Sequence, residues 1–417
     1  MRFLIIISLI SVLASKVSSG EAELLSDLLG TEGRIFCDSS ALLAFDLSSK
    51  SFNLASESPR KLEFLSDGSR QKIVVDYKPL RQNWRVATIS IFDLKGRPYA
   101  QARLSRKCKI SRIRRLAYDL NGRVRVIQNL DLNSLQVVKE EQQNPDFQIN
   151  LDGYRKGNTS TIVALVDTGV NYTLPEFREY LAVDEKGELL GYDFWDDDDR
   201  PFDKDPRANP FFPLHHGSTV FSVLARELGS GAIAVYRFPA LEVCKFEQLL
   251  DHIEKNAIRV VSMSMGSKKE SDWQCFLTKA AKMDEVLFVV SAGNDDRNID
   301  EAPIFPASSD LSNILVVTSS DYFGRLGPGS NFGKQSVDIM VPAERIEILD
   351  HRGNKNNASG TSYAAPRVAA LVSRYIQSNP SAKLAEIIDF LKGRAIPSGL
   401  DIVKFGWIPD PTDNYGF

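Results

Sequence analysis

Thr161-Ile162-Val163-Ala164-Leu165-Val166-Asp167-Thr168-Gly169 is the stretch from which the rest of the chain is best read. Its apolar run shows no alternation and stops on a carboxylate, a hydroxyl and a glycine. A run of this kind reads as a strand buried on both faces, as in a parallel sheet. Further runs follow at 232–238, 258–264, 286–291, 314–318 and 337–341, with helical patterns between several of them, notably 245–256 and 272–283. Strands alternating with helices predict an α/β domain built on a mostly parallel sheet covered by helices. Residues that carry chemistry are then expected at the carboxyl ends of the strands.

Upstream the texture differs. Residues 33–138 hold short alternating segments such as Lys72-Ile73-Val74-Val75-Asp76-Tyr77 and Arg123-Val124-Arg125-Val126-Ile127, with Lys95-Gly96 and Asn121-Gly122 as hairpin turns. This predicts a small antiparallel β-rich N-terminal domain. Its stretch from Arg103 to Arg125 is rich in Arg and Lys, which reads as a solvated basic face or as a docking surface for an acidic partner, the second domain being one candidate. The polar residues Lys139 to Asp146 suit a linker. The expected organisation is residues 1–19, 20–145, a linker at 146–157, and 158–417.

The chain has 417 residues, 43% hydrophobic and 25% charged, enough to bury a large core in two domains. A net charge of −3 argues against a dedicated nucleic-acid binder. Residues 1–19 combine Arg2, an apolar run from Phe3 to Ala14 and small residues up to Ser19, the pattern of a secretory signal peptide. No later segment suits a membrane span. A secreted or periplasmic location is expected. Four cysteines fit an oxidising compartment, with Cys37–Cys108 and Cys244–Cys275 the preferred pairs among three connectivities.

Four pieces of the second domain carry chemistry. Asp167 stands at a strand end, where a carboxylate withdrawn from water needs partners. His216-Gly217-Ser218-Thr219 places a histidine at the start of a helix running to about Glu227. The chain has four histidines, His215, His216, His252 and His351, and the glycine and apolar helix that follow favour His216 as a base. Ser291-Ala292-Gly293-Asn294 ends a strand in small residues and an amide that can donate to an oxyanion. In Asn357-Ala358-Ser359-Gly360-Thr361-Ser362-Tyr363-Ala364-Ala365-Pro366, a serine sits where small turn residues give way to a helix. Unpaired N–H groups and the positive end of the helix dipole stabilise charge beside that hydroxyl.

With these motifs in this order, residues from about 158 to the C-terminus resemble the catalytic domain of the subtilases, the subtilisin-like serine peptidases. Supporting matches are Ser262-Met263-Ser264-Met265-Gly266, Phe305-Pro306-Ala307-Ser308 and Ser330-Asn331-Phe332-Gly333. The resemblance implies a three-layer α/β fold and a serine endopeptidase. It makes Ser362 the nucleophile, His216 the general base and acid, Asp167 the orienting carboxylate and Asn294 an oxyanion donor. Ser264, Met265 and Gly266 are expected to form one wall of a cleft for polypeptide substrates, and Ser291, Ala292 and Gly293 the other. Ser218 departs from the threonine usual in the family, and the segment 226–232 is shorter than usual.

Asp295 follows the oxyanion asparagine, where it can favour a basic side chain. The acidic run Asp193 to Asp199, with Asp203 and Asp205, invites structural calcium but fits no defined calcium loop, so no metal ligand is assigned and no cofactor is expected. Asn158, Asn171 and Asn357 head formal glycosylation sequons. The N-terminal region reads as a prodomain removed near residues 146–156, which makes the chain a zymogen, or as an accessory domain. The other reading of the whole chain is a binding protein on a poorly active scaffold.

Overall fold

The computed structural model describes residues 52–58, 60–66, 71–80, 83–105, 109–147, 161–184, 186–239, 242–397, 399 and 401–417. The signal segment, Cys37, Cys108, Asn158 and all of the expected linker except Asp146 and Phe147 lie outside the described residues. The chain divides into two compact units.

The first unit is one antiparallel sheet of eight strands in sequence order: β1 (Phe52–Ser58), β2 (Lys61–Ser66), β3 (Lys72–Leu80), β4 (Asn83–Phe92), β5 (Pro98–Leu104), β6 (Ile110–Tyr118), β7 (Val124–Leu130) and β8 (Val137–Gln142). Alternate residues Ile73, Val75, Ile89, Ile91, Ala100 and Ala102 make its core, as the period of two requires. The hairpin turns stand where their glycines put them. Gly96 has φ +76° and Gly122 φ +79°, and the Asp93 and Asp119 carboxylates accept turn N–H groups from Lys95, Arg97, Asn121 and Arg123.

Two expectations need correction here. Residues 139–142 belong to strand β8 and not to a linker; the strand is mostly exposed and polar, so it lacks the alternation that reveals a strand. Within the basic stretch, Arg114 is buried and bonded to Asn129 at 3.1 Å and Glu141 at 2.9 Å. That arginine ties three strands together instead of facing solvent.

The second unit holds a parallel sheet of eight strands: β9 (Ile162–Asp167), β10 (Gly191–Asp193), β11 (Ala232–Arg237), β12 (Val260–Met263), β13 (Leu287–Ser291), β14 (Ile314–Ser320), β15 (Ile339–Pro342) and, after a separate hairpin of β16 (Ile346–Leu349) and β17 (Lys355–Ala358), β18 (Gly406–Trp407). Its order is β10-β11-β9-β12-β13-β14-β15-β18. Successive residues of each strand enter opposite cores: Val163, Leu165 and Val289 on one face, Ala164, Val166 and Val290 on the other. The unbroken apolar runs of the sequence are the consequence.

Helices α1 (Gly217–Glu227) and α2 (Phe246–Lys255), then α3 (Gln274–Ala280), α4 (Thr361–Ser378) and α5 (Leu384–Arg394), cover the two faces. α1 and α4 pack on the first core, and α2 and α3 on the second. A disulfide joins Cys244 to Cys275, 31 positions apart. Among the described residues no helix is long and apolar enough to cross a membrane.

Candidate active site

A cleft of about 650 Å³ opens at the carboxyl ends of β9, β11, β12 and β13. Asp167, His216, Ser362 and Asn294 all line it, with Ser264, Met265, Gly266, Ser291 and Gly293. Ala292 does not. It is fully buried in the sheet, and its carbonyl accepts the Asn331 amide at 2.9 Å, because successive strand residues face opposite ways.

Asp167 ends β9 and is 2% exposed. Its carboxylate takes the Thr168 N–H at 2.7 Å and the Nδ1 of His216 at 2.8 and 3.0 Å. A carboxylate can only accept, so Nδ1 carries the proton and the Nε2 lone pair of a neutral ring is available to another group. The His216 side chain is one-third exposed. Burial pulls its proton affinity down, but the Asp167 charge and hydrogen bond, with Asp203 and Asp205 beyond, outweigh it and raise the pKa above the ordinary value.

The main chain around His216 is fixed by Thr168. The Thr168 hydroxyl accepts the N–H groups of His216 at 3.2 Å and Gly217 at 2.7 Å. A Cβ on Gly217 would lie 2.0 Å from the Gly169 carbonyl oxygen. The Asp-Thr-Gly and His-Gly motifs are therefore two halves of one contact, which only glycine allows.

Ser362 is the second residue of α4. The N–H groups on either side of it are taken, Thr361's by Asn294 Oδ1 at 3.0 Å and Tyr363's by the Gly360 carbonyl at 3.0 Å. The Ser362 N–H has no partner among the described residues, as the helix start leaves it. Four residues on, Pro366 lies inside the helix and has no N–H to give the Ser362 carbonyl. Ser264 fills that position, its hydroxyl donating to the Ser362 carbonyl at 2.9 Å. Among the described residues no hydrogen bond links Ser362 to His216. Such contacts commonly close only around substrate.

Asn294 Oδ1 accepts from both the N–H and the hydroxyl of Thr361, at 3.0 and 3.2 Å. With the oxygen so used, the amide's donor nitrogen is the end left to the cleft. The Thr361 hydroxyl also receives the Gly293 N–H at 3.1 Å. Behind this loop sits Asn331, fully buried. Its Oδ1 accepts the N–H groups of Asp295 and Arg297 at 2.9 and 3.2 Å. Thr168, Asn331 and Thr361 all stand in the quoted motifs, but nothing local to those motifs points to these roles.

The other three histidines lie elsewhere. His252 sits on α2 against Tyr192, Phe194 and Tyr236, where burial lowers its pKa. His215 and His351 stack on each other. Asp295 lines the cleft with 46% of its side chain exposed, 3.6 Å from Arg297.

The acidic run meets cations of the protein itself. Arg237, wholly buried, bonds Asp193 at 2.8 Å and Asp196 at 2.9 Å. Lys204 takes Asp196 at 2.7 Å, Lys245 takes Asp197 at 2.8 Å, and Arg200 takes Asp198 at 3.3 Å. These contacts engage one oxygen on each of Asp193, Asp196, Asp197 and Asp198. Of the sequons, Asn171 is buried with its amide on the His351 carbonyl at 2.7 Å, whereas Asn357 is exposed on β17.

Residues 158–407, more than half of the chain, match the Subtilase family, and the chain belongs to that family. Among similar proteins, the cell wall-associated protease of Bacillus subtilis (strain 168) is 27% identical over 270 residues, 61% of this chain and 28% of the relative. The thermophilic serine proteinase of Bacillus sp. (strain AK1) is 26% identical over 234 residues, 52% of each. The chain thus spans between 28% and 52% of the length of these relatives. A crystal structure of a cold adapted subtilisin-like serine proteinase shares 21% identity with a TM-score of 0.49, over 64% of this chain and 94% of that one.

Proposed function

We propose that the protein is an exported serine endopeptidase that cuts polypeptides through an acyl-enzyme. The observation that carries this reading is the Asp167–His216 pair at 2.8 Å in a cleft that Ser362 and Asn294 share. Ser362 Oγ attacks the scissile carbonyl carbon while its proton passes to His216 Nε2. Asp167 holds the ring in the tautomer that makes this possible and stabilises the imidazolium. The tetrahedral oxyanion takes hydrogen bonds from Asn294 Nδ2 and the Ser362 N–H. Collapse breaks the C–N bond, and His216 hands its proton to the departing amine. Water then repeats the sequence on the ester, with His216 taking its proton and Ser362 regaining one.

The substrate backbone lies along Ser264-Met265-Gly266 as an added strand. Ser291 and Gly293 form the other wall, small residues that leave room for a side chain. The eight-stranded first unit is proposed as a prodomain, removed between it and the peptidase domain. Casein hydrolysis by purified protein beside a Ser362→Ala variant tests the core of the reading. Cleavage by wild type alone supports it. Equal cleavage by the variant sinks the nucleophile assignment, and inactivity of both after removal of the first unit favours a binding protein.

A further inference from the structure

The support of His216 does not end at Thr168. Asp203 is fully buried; one of its oxygens accepts the Thr168 hydroxyl at 2.6 Å and the other the Ser218 N–H at 2.8 Å. Since the same hydroxyl holds the N–H groups of His216 and Gly217, a single carboxylate anchors the main chain at the histidine and the first turn of α1.

A carboxylate withdrawn from water needs compensating charge. Among the described residues no Arg or Lys is paired with Asp203, and Lys204 beside it turns to Asp196. Two histidines face it instead. His215 Nδ1 lies 2.7 Å from the Asp203 carbonyl oxygen, to which it must donate. His351 Nδ1 lies 3.7 Å from Asp203 Oδ2, buried and without a hydrogen-bond partner. The two rings are stacked, centroids 3.7 Å apart and 10° from parallel. Imidazole lone pairs lie in the ring plane, so two parallel rings do not aim at one metal ion.

We propose that Asp203 is a positioning residue for His216, acting through the Thr168 hydroxyl and the first turn of α1. This rests on the reading of His216 as the base. Asp203 places the imidazole through Thr168, and its negative charge reaches the ring. Burial alone would raise the Asp203 pKa, but His351, His215 and the Ser218 N–H hold it below the ordinary carboxylate value. The other charged groups around the site are accounted for. Asp167 and Asp205 act on His216 in the same sense as Asp203. Asp350, on the turn that carries His351, is held by the N–H groups of Arg352 and Asn354. Arg352 is exposed, and Arg200 pairs with Asp146 and Asp198.

The test is the pH profile of kcat/KM on a peptide substrate for wild type, Asp203→Asn and Thr168→Val, with melting temperatures alongside. Asp203→Asn removes the negative charge, so the acid limb moves to lower pH, and kcat falls roughly ten- to a hundredfold as the ring loses its placement. Thr168→Val breaks the link from Asp203 to the His216 main chain and leaves the charge in place, so kcat falls while the limb stays. A limb that moves in Asp203→Asn and stays in Thr168→Val supports the proposal. An Asp203→Asn limb that stays in place, or a Thr168→Val kcat equal to wild type, overturns it. If Asp203→Asn does not fold, the Thr168→Val kcat decides alone. His216→Ala tests the underlying reading separately: full activity there removes the base assignment, whereas an inactive His216→Ala with an unmoved Asp203→Asn limb overturns only the role of Asp203.

Discussion

Asn294 and Thr361 are joined twice, the amide oxygen of one receiving both the N–H and the hydroxyl of the other. Thr361 immediately precedes Ser362, so the contact locks the Asn294 side chain to the helix that presents Ser362. Asn294→Ala is expected to lower kcat on the order of 10²–10³, a figure carried over from subtilisin, with little change in KM. Thr361→Val should cost less, and the double variant about as much as Asn294→Ala alone, since both act through one amide. Steady-state kinetics of the three proteins checks this; additive losses would mean that Thr361 acts by another route.

Gly293 has φ +98°, and a Cβ there would lie 2.6 Å from the Asn331 amide nitrogen. Gly293→Ala combines backbone strain with displacement of the side chain that holds the Asn294 loop. The expected cost is about 1–3 kcal/mol of stability together with a fall in kcat. Thermal melting and kinetics read both, and a variant as stable and active as wild type would show that the loop tolerates the shift.

Six strands of the parallel sheet were legible because a strand buried on both faces leaves an unbroken apolar run, and Asp167 and Ser291 mark where two of those runs end; the short edge strands β10 and β18 leave no such run. Strand β8 was not, because an exposed polar strand has no such pattern. The four principal site residues stood in local motifs. Their supports stood there too, but the supporting roles were not readable, because they are set by tertiary contact: Thr168 meets Asp203 across 35 positions and Asn331 meets Ala292 across 39. The acidic run shows the same limit. Its composition gave no sign of Arg237, which arrives from the end of strand β11 to pair with Asp193.

Arg237→Met leaves Asp193 and Asp196 without their buried cation. Removing one partner from such a network is expected to destabilise by about 3–5 kcal/mol, read as a drop in melting temperature. Chelation of wild type with EGTA should leave the melting temperature where it was. A large drop with EGTA would place calcium among those carboxylates after all.

The Cys244–Cys275 bridge closes a loop across 31 positions. Chain-entropy arithmetic for that length gives about 3–4 kcal/mol of stabilisation. Cys244→Ser with Cys275→Ser should therefore melt well below wild type. Since Val243 and Trp273 both line the cleft, the loss is expected to appear in KM as well. An unchanged KM would confine the bridge to stability.

In the proposed mechanism His216 must be neutral to accept the Ser362 proton, so activity is expected to follow the loss of its proton as pH rises. Burial favours that loss, but Asp167, Asp203 and Asp205 oppose it more strongly, and the net displacement of the pKa is upward. The acid limb of kcat/KM should accordingly lie above the value of about 6.5 typical of a free histidine. Asp167→Asn removes the largest of the opposing charges and the hydrogen bond that fixes the tautomer. The limb should move to lower pH while kcat falls by about 10⁴, the loss known for the same change in trypsin. A profile recorded from acid to alkaline pH separates the two effects, because a wrong tautomer lowers the plateau and only a lost charge moves the limb. A plateau that falls with the limb unmoved would mean that Asp167 orients the ring without setting its charge.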